Sequence, residues 1–292
     1  MPVTPDTPAP TRAILLFSCP DTRGIVAEVS HFIFTYGGNI IDSSQHHDEE
    51  TNTFFMRVEW DIREFTVPAD KIPDAFEPIA MKFSMNLMLQ FPDRVARVAL
   101  FVSKQGHCLQ DLLLRHAEGE LVCEIPIIIS NHDTYRSTAE WFGIPFHHVP
   151  VTKETRDDAE ARQRELLREH NVDLVVLARY MQILSPDFVA AFPNRIINIH
   201  HSFLPAFVGA RPYHQAFARG VKIIGATSHY VTESLDEGPI IEQDVARVSH
   251  RDSVPDLVQK GRNLEKLVLA RAVKLHLEHR ILAFKNKTVV FD

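Results

Sequence analysis

Apolar positions recur along this chain in two different rhythms, and the rhythm changes about a third of the way in. Up to residue 91, "RAILLFSC" (Arg12 to Cys19) predicts a strand and "DTRGIVAEVSHFIFTYGG" a helix closed by Gly37 and Gly38. "NIIDSSQHH" and "NTFFMRVEW" predict two strands parted by the polar turn "DEETN". "PADKIPDAFEPIAMKF" predicts a helix opening on Pro68, and "SMNLMLQF" a final strand. That order is βαββαβ, the ferredoxin-like unit. "PDRV", Pro92 to Val95, supplies a boundary.

From Arg97 the runs become continuous and alternate with helical stretches. "VARVALFVS", "CEIPIIIS", "FHHVPV" and "VDLVVLA" are each followed by a polar or amphipathic segment, as expected of parallel strands covered on both faces. Next come "IINIHHSFLPAF" (Ile196 to Phe207) and then "VKIIGATSHYV" and "GPIIEQDVARV", a strand pair joined by "TESLDE". A long helix is expected from about Ser253 to Leu282. The fold class is therefore α/β. A ferredoxin-like domain at 11–91, preceded by a flexible tail at 1–10, leads into a doubly wound, mostly parallel-sheet domain at 94–292.

Composition narrows the classes without choosing one. A formal net charge of -7 opposes a general nucleic-acid binder. Three separated cysteines, Cys19, Cys108 and Cys123, suit a reduced compartment better than a disulfide framework. The start "MPVTPDTPAPT" has no apolar core, so it reads as neither signal peptide nor anchor. No stretch approaches the roughly 18 apolar residues that span a bilayer. The expectation is a cytoplasmic protein with no membrane partner. Sixteen histidines raise the question of a metal, yet the pairs at 46–47, 147–148 and 200–201 put strand neighbours on opposite faces, and no HExxH spacing occurs. No metal is expected.

The first βα turn of the doubly wound domain, "SKQGHCLQ" (Ser103 to Gln110), has only Gly106 and neither common phosphate-loop pattern. A nucleotide site there is not expected; Lys104 and His107 either meet an anion or lie in a solvated loop. In "IINIHH", alternation puts Asn198 and His200 on one face and His201 on the other. Asn offers a neutral donor to a carbonyl, and His donates or carries a proton near neutral pH. The same pair would equally serve as hydrogen-bonded interior groups. Asp236 in "TESLDEGP" is either an ordinary loop aspartate or a carboxylate folded over that strand.

At these residues the chain resembles the formyltetrahydrofolate-dependent formyltransferase family. The matching pieces are "LARYMQILSPDFV", "NIHHSFLPAF" and "HYVTESLDEGPII", in the family's order. The resemblance implies that Asn198, His200 and Asp236 are catalytic. It also implies that Met181, Ile183, Leu184, Val231, Thr232 and Glu233 form the folate pocket. "CPDTRGIVAEVSHFIFTYGGNIIDSSQ" resembles an ACT domain, a module that often binds amino acids between paired copies, with Asp21, Gly24, Asn39 and Asp42 at its ligand positions. ACT-like plus formyltransferase-like is the arrangement of formyltetrahydrofolate deformylases.

That likeness implies hydrolysis of 10-formyltetrahydrofolate, the substrate, to formate and tetrahydrofolate without a cofactor. It further implies an amino-acid effector such as glycine or methionine, and a homodimer or homotetramer. The absent glycine-rich loop makes water the expected nucleophile. Formyl transfer to an amine, and a non-catalytic amino-acid sensor, are the alternatives.

Overall fold

The protein is described by a computed structural model covering residues 9–205 and 212–292. Most of the expected N-terminal tail, and Ala206 and Phe207 of the Ile196–Phe207 segment, lie outside the described residues.

The chain divides into two compact units. The first contains β1 (Arg12–Pro20), α1 (Ile25–Thr35), β2 (Asn39–Asp48), β3 (Thr53–Asp61), α2 (Ile72–Lys82) and β4 (Asn86–Gln90). Its sheet has the order β2-β3-β1-β4 and is antiparallel throughout, so the expected βαββαβ unit forms. The second helix begins at Ile72 rather than Pro68, because a short 3-10 turn at Ala69–Lys71 precedes it. Alternation explains the unbroken apolar run of β1. Ala13, Leu15, Phe17 and Cys19 join Val29, Ile33 and Phe76 under the helices, while Ile14 and Leu16 point to the opposite face beside Phe55.

That opposite face is covered by the end of the chain, which corrects two expectations. The long helix stops at Leu277 instead of Leu282, and two short strands follow at Ile281–Phe284 and Lys287–Val290. Glu278–Phe284 and Val289–Asp292 belong to the first unit, whereas the sequence reading assigned them to the second domain. Leu282 and Phe291 are the buried side chains that close over Ile14, Leu16 and Phe55. Their partners are more than 200 residues away in sequence, so no local period could reveal the pairing. Arg57, 7% exposed, fixes the same segment: its Nε donates to the His279 carbonyl at 3.0 Å and its Nη2 to Glu59 at 2.8 Å.

The second unit spans Ala96–Leu277 with Lys285–Thr288. It comprises β5 (Arg97–Val102), α3 (His107–Ala117), β6 (Glu124–Ser130), α4 (Arg136–Trp141), β7 (Phe146–His148), α5 (Arg156–Glu169), β8 (Leu174–Leu177), α6 (Pro186–Ala191), β9 (Ile196–His200), α7 (Pro212–Arg219), β10 (Ile223–Tyr230), β11 (Ile240–Arg247) and α8 (Val254–Leu277). The seven-stranded order is β11-β10-β9-β8-β5-β6-β7. Strands β5 to β9 pair parallel and β10 runs antiparallel to both its neighbours, as expected of a mostly parallel sheet.

The chain leaves β5 toward β6 and β7, then returns on the other side through β8 and β9. This reversal places a crevice beyond the ends of β5 and β8. No helix among the described residues is long and apolar enough to cross a membrane.

Candidate active site

Segment 178–185, just after β8, is anchored before it contributes anything chemical. Ser103 at the end of β5 accepts from the Met181 amide at 3.0 Å and donates to Asn131 at 2.7 Å. Buried Glu160 accepts from the Ser185 amide at 3.0 Å, and Ser185 caps α6 through the Phe188 amide. With its backbone held, the segment leaves Met181 57% and Ile183 59% exposed. Large apolar side chains left in solvent at a cavity are a feature of ligand-binding grooves. Both line a cavity of about 520 Å³, together with Leu184, Val231, Thr232 and Glu233. All six residues expected to form the folate pocket are therefore in its wall.

The same cavity is lined by Asn198, His200 and Asp236. Thr227 lies opposite His200 and His229 opposite Asn198 across the antiparallel pairing. The connection after β10 then folds back, so that the Asp236 carboxylate lies 3.2 Å from His200 Nδ1 and 3.6 Å from His229 Nε2. His200 first, and His229 next, hold its carboxyl well below the usual carboxylate range against a smaller opposing effect of burial. Asp236 sits in the left-handed backbone region, φ 55°, which aspartate tolerates better than most residues. His229 Nδ1 lies 3.0 Å from the Tyr230 carbonyl and must donate there. Nε2 of the same ring faces both the Asn198 side-chain amide, at 3.2 Å, and the Asp236 carboxylate.

His229 was not singled out by sequence reasoning, although it stands inside the quoted "HYVTESLDEGPII". Its signal is the two-residue alternation with Thr227, which becomes informative only once the register against β9 is known. His201 departs from expectation. Strand β9 ends at His200, so alternation no longer applies, and His201 stacks on His200 with ring centroids 5.2 Å apart and lines the cavity too.

Burial first, then the Arg179 and His200 charges, lower the His201 pKa to about 4. His279 in the first unit is lowered to about 4 as well, by burial and then by Arg57. Both imidazoles are thus neutral when folded but bind protons below their ordinary value when unfolded. Their contribution to stability is complete above that value and disappears as the pH falls toward 4. For one such histidine the loss between neutral pH and pH ~5 is on the order of 2 kcal/mol. Denaturant titration should show this decline, and His201→Gln should make it shallower.

The loop with Asp236 allows no side chain at Gly238. A Cβ there would lie 1.8 Å from the Tyr230 carbonyl oxygen, a backbone atom that cannot move aside cheaply. Gly238→Ala is expected to cost on the order of 3 kcal/mol and to displace Asp236. Lower thermal stability together with lost turnover would report both effects.

Beyond β5, the loop 103–106 is closed. A Cβ on Gly106 would fall 2.2 Å from the Tyr135 ring, and Tyr135 donates to the Lys104 carbonyl. Lys104 is exposed and His107 bonds Glu265 at 2.8 Å; neither lines the cavity. Glu265, 1% exposed, also accepts from Tyr213 at 2.8 Å and faces Arg179 Nε at 3.4 Å. Burial works to raise its carboxyl pKa, but His107, Arg179 and Tyr213 outweigh burial and lower it. His107, Cys108 and Glu265 bring ligand-type atoms within 4.8 Å of one another. The Glu265 charge is already matched by Arg179.

The four residues matched to an effector site do not meet within one chain. Asp21 and Gly24 follow the end of β1 that pairs at Thr53, whereas Asn39 and Asp42 lie toward the other end, opposite Asp61 and Glu59. At the rise of a strand the separation is about 20 Å. Asp42 is also engaged, accepting from Arg57 Nη1 at 2.7 Å.

Comparison with known proteins covers the unit that carries this geometry. The family described as formyl transferase matches residues 96–273. A formyltetrahydrofolate deformylase from Synechocystis is 57% identical over 96% of this chain and 98% of its own length. One from Bacillus subtilis is 53% identical over 95% and 93%. The crystal structure of a formyltetrahydrofolate deformylase from Pseudomonas syringae superposes with a TM-score of 0.93 at 50% identity, covering 98% of this chain and 96% of that one. A glycinamide ribonucleotide transformylase from Symbiobacterium toebii, at TM-score 0.64 and 33% identity, covers 71% of this chain and 98% of its own. The near-complete coverage by the deformylases, against the partial coverage by the transformylase, places this chain in the formyltetrahydrofolate deformylase family.

Proposed function

We propose that this protein hydrolyses 10-formyltetrahydrofolate to formate and tetrahydrofolate, with Asn198, His200 and Asp236 as its catalytic residues. The observation that carries the reading is the 3.2 Å contact of Asp236 with His200 Nδ1. It commits that nitrogen to the carboxylate and leaves Nε2 as the reactive atom of the ring.

Water attacks the formyl carbon and gives its proton to His200 Nε2, while the carbonyl π pair moves onto oxygen. Asn198 and the resulting imidazolium hold that oxyanion. The C–N10 bond then breaks, its electron pair stays on N10, and the imidazolium returns the proton there. Formic acid then gives its remaining acidic proton to His200 Nε2, which releases it to solvent when formate departs. Asp236 compensates the imidazolium charge, so its route to the water runs through His200. Met181, Ile183 and Leu184 would pack against the pterin, and the backbone of Val231 to Glu233 would bond its edge. The closure of loop 103–106 by Tyr135 supports water rather than a phosphorylated amine as acceptor.

Incubation with 10-formyltetrahydrofolate alone tests the reaction. Formate should accumulate in step with tetrahydrofolate; formyl loss only when an amine is added would identify a transferase instead.

An amino-acid effector, glycine or methionine, belongs to the same reading. The separation of Asp21 and Gly24 from Asn39 and Asp42 means that such a site needs two copies of the first unit, each contributing one pair. This supports a homodimer or homotetramer as the effector-binding form.

A further inference from the structure

Three side-chain nitrogens of residues that line the cavity are buried without a hydrogen-bond partner: His200 Nε2, Arg179 Nη1 and Arg179 Nε. The first is the reactive atom of the proposed reaction. The Arg179 nitrogens have no part in it. The Arg179 side chain is 7% exposed; Nη2 donates to Gln105 at 3.0 Å, and Nε lies 3.4 Å from Glu265 without a hydrogen bond. Its backbone is left-handed, φ 65°, at a residue with no special tolerance for that conformation.

A buried cationic donor without an acceptor is unfavourable, and the left-handed backbone adds strain. Glu265 balances the guanidinium charge but supplies no acceptor to Nη1. An acceptor that arrives during turnover would account for it. The reaction supplies one: it begins with a neutral formamide and ends with a carboxylate.

We propose that Arg179 Nη1 and His200 Nε2 together form a receptor for a small planar monoanion, and that its occupant is formate, the one-carbon product. One carboxylate oxygen accepts from Arg179 and the other from the imidazolium of His200. Glu265 takes no ligand. It compensates the guanidinium, supported by His107 and Tyr213, so that Arg179 stays in place when the site is empty. This assignment rests on the hydrolytic reading above and fails separately from it.

The test uses the full chain and 10-formyltetrahydrofolate as substrate. Sodium formate, or nitrite as a bent triatomic mimic, should slow hydrolysis in the millimolar range, while chloride at equal ionic strength should not. Arg179→Lys keeps the charge but removes the planar donor fork. It should raise the formate inhibition constant at least about tenfold, more than it raises KM. In the wild type, a guanidinium ¹⁵N resonance should shift with the same midpoint as inhibition, which keeps the test open if Arg179→Lys does not fold. Equal inhibition by formate and chloride, an unchanged inhibition constant in the variant, or no guanidinium resonance moving would each overturn the receptor. None of these would touch the hydrolytic reading, which falls only if formate is not released.

Discussion

Asp236→Asn is expected to lower kcat about a thousandfold while leaving the circular dichroism spectrum and thermal midpoint close to wild type. The substitution is nearly isosteric, and Asp236 stands in a connection rather than in a strand, so the fold has little reason to change. The chemistry does. Asp236 is the carboxylate held 3.2 Å from His200 Nδ1 and 3.6 Å from His229 Nε2. An amide there can still accept from His200 Nδ1–H, but it cannot compensate the imidazolium that the proposed reaction forms when Nε2 takes the proton from water. The amide can also rotate and present its nitrogen, which would select the wrong tautomer of His200. Because the defect arises as charge develops, KM for 10-formyltetrahydrofolate should change much less than kcat. Formate release near the wild-type rate would remove Asp236 from the reaction.

The second large effect is expected at His200. His200→Asn keeps a polar side chain on β9 but withdraws it from Asp236 and removes the group that, in the proposed reaction, both takes and returns the proton. A loss between about a hundredfold and ten-thousandfold in kcat follows. Small imidazoles added to the solution should restore part of it, since the space vacated lies in the wall of the cavity. The double variant with Asp236→Asn should be little slower than the worse single one, because both residues act through one proton transfer. Additive losses would mean that the two groups work independently.

Much of this site was legible along the chain. Asn198 and His200 are two apart in a strand, and a strand puts them on one face wherever it goes. Met181, Ile183 and Leu184 came through the resemblance of "LARYMQILSPDFV" to the formyltransferase family, and the fold leaves Met181 and Ile183 exposed. The expected βαββαβ and doubly wound patterns formed for the same reason: each depends on periods of a few residues, which local sterics and local burial set.

What failed to show was consistently non-local. His229 enters the site through the register of β10 against β9, and nothing within its own segment states which residue it will oppose. His201 was placed away from the site by extending alternation one residue beyond the end of the strand. Arg179 and Glu265 come from distant segments and are joined only by burial.

Local sequence was enough for most helices and strands, for which side chains within a strand share a face, and for the family whose motifs the second unit carries. Tertiary structure decided the rest: which carboxylate meets His200, what covers the outer face of the first sheet, and that Asp21 and Asn39 stand far apart in one chain. The physical reason is range. Backbone sterics and the hydrophobic period act between neighbours, whereas desolvation and charge pairing act between whichever groups the fold brings into contact.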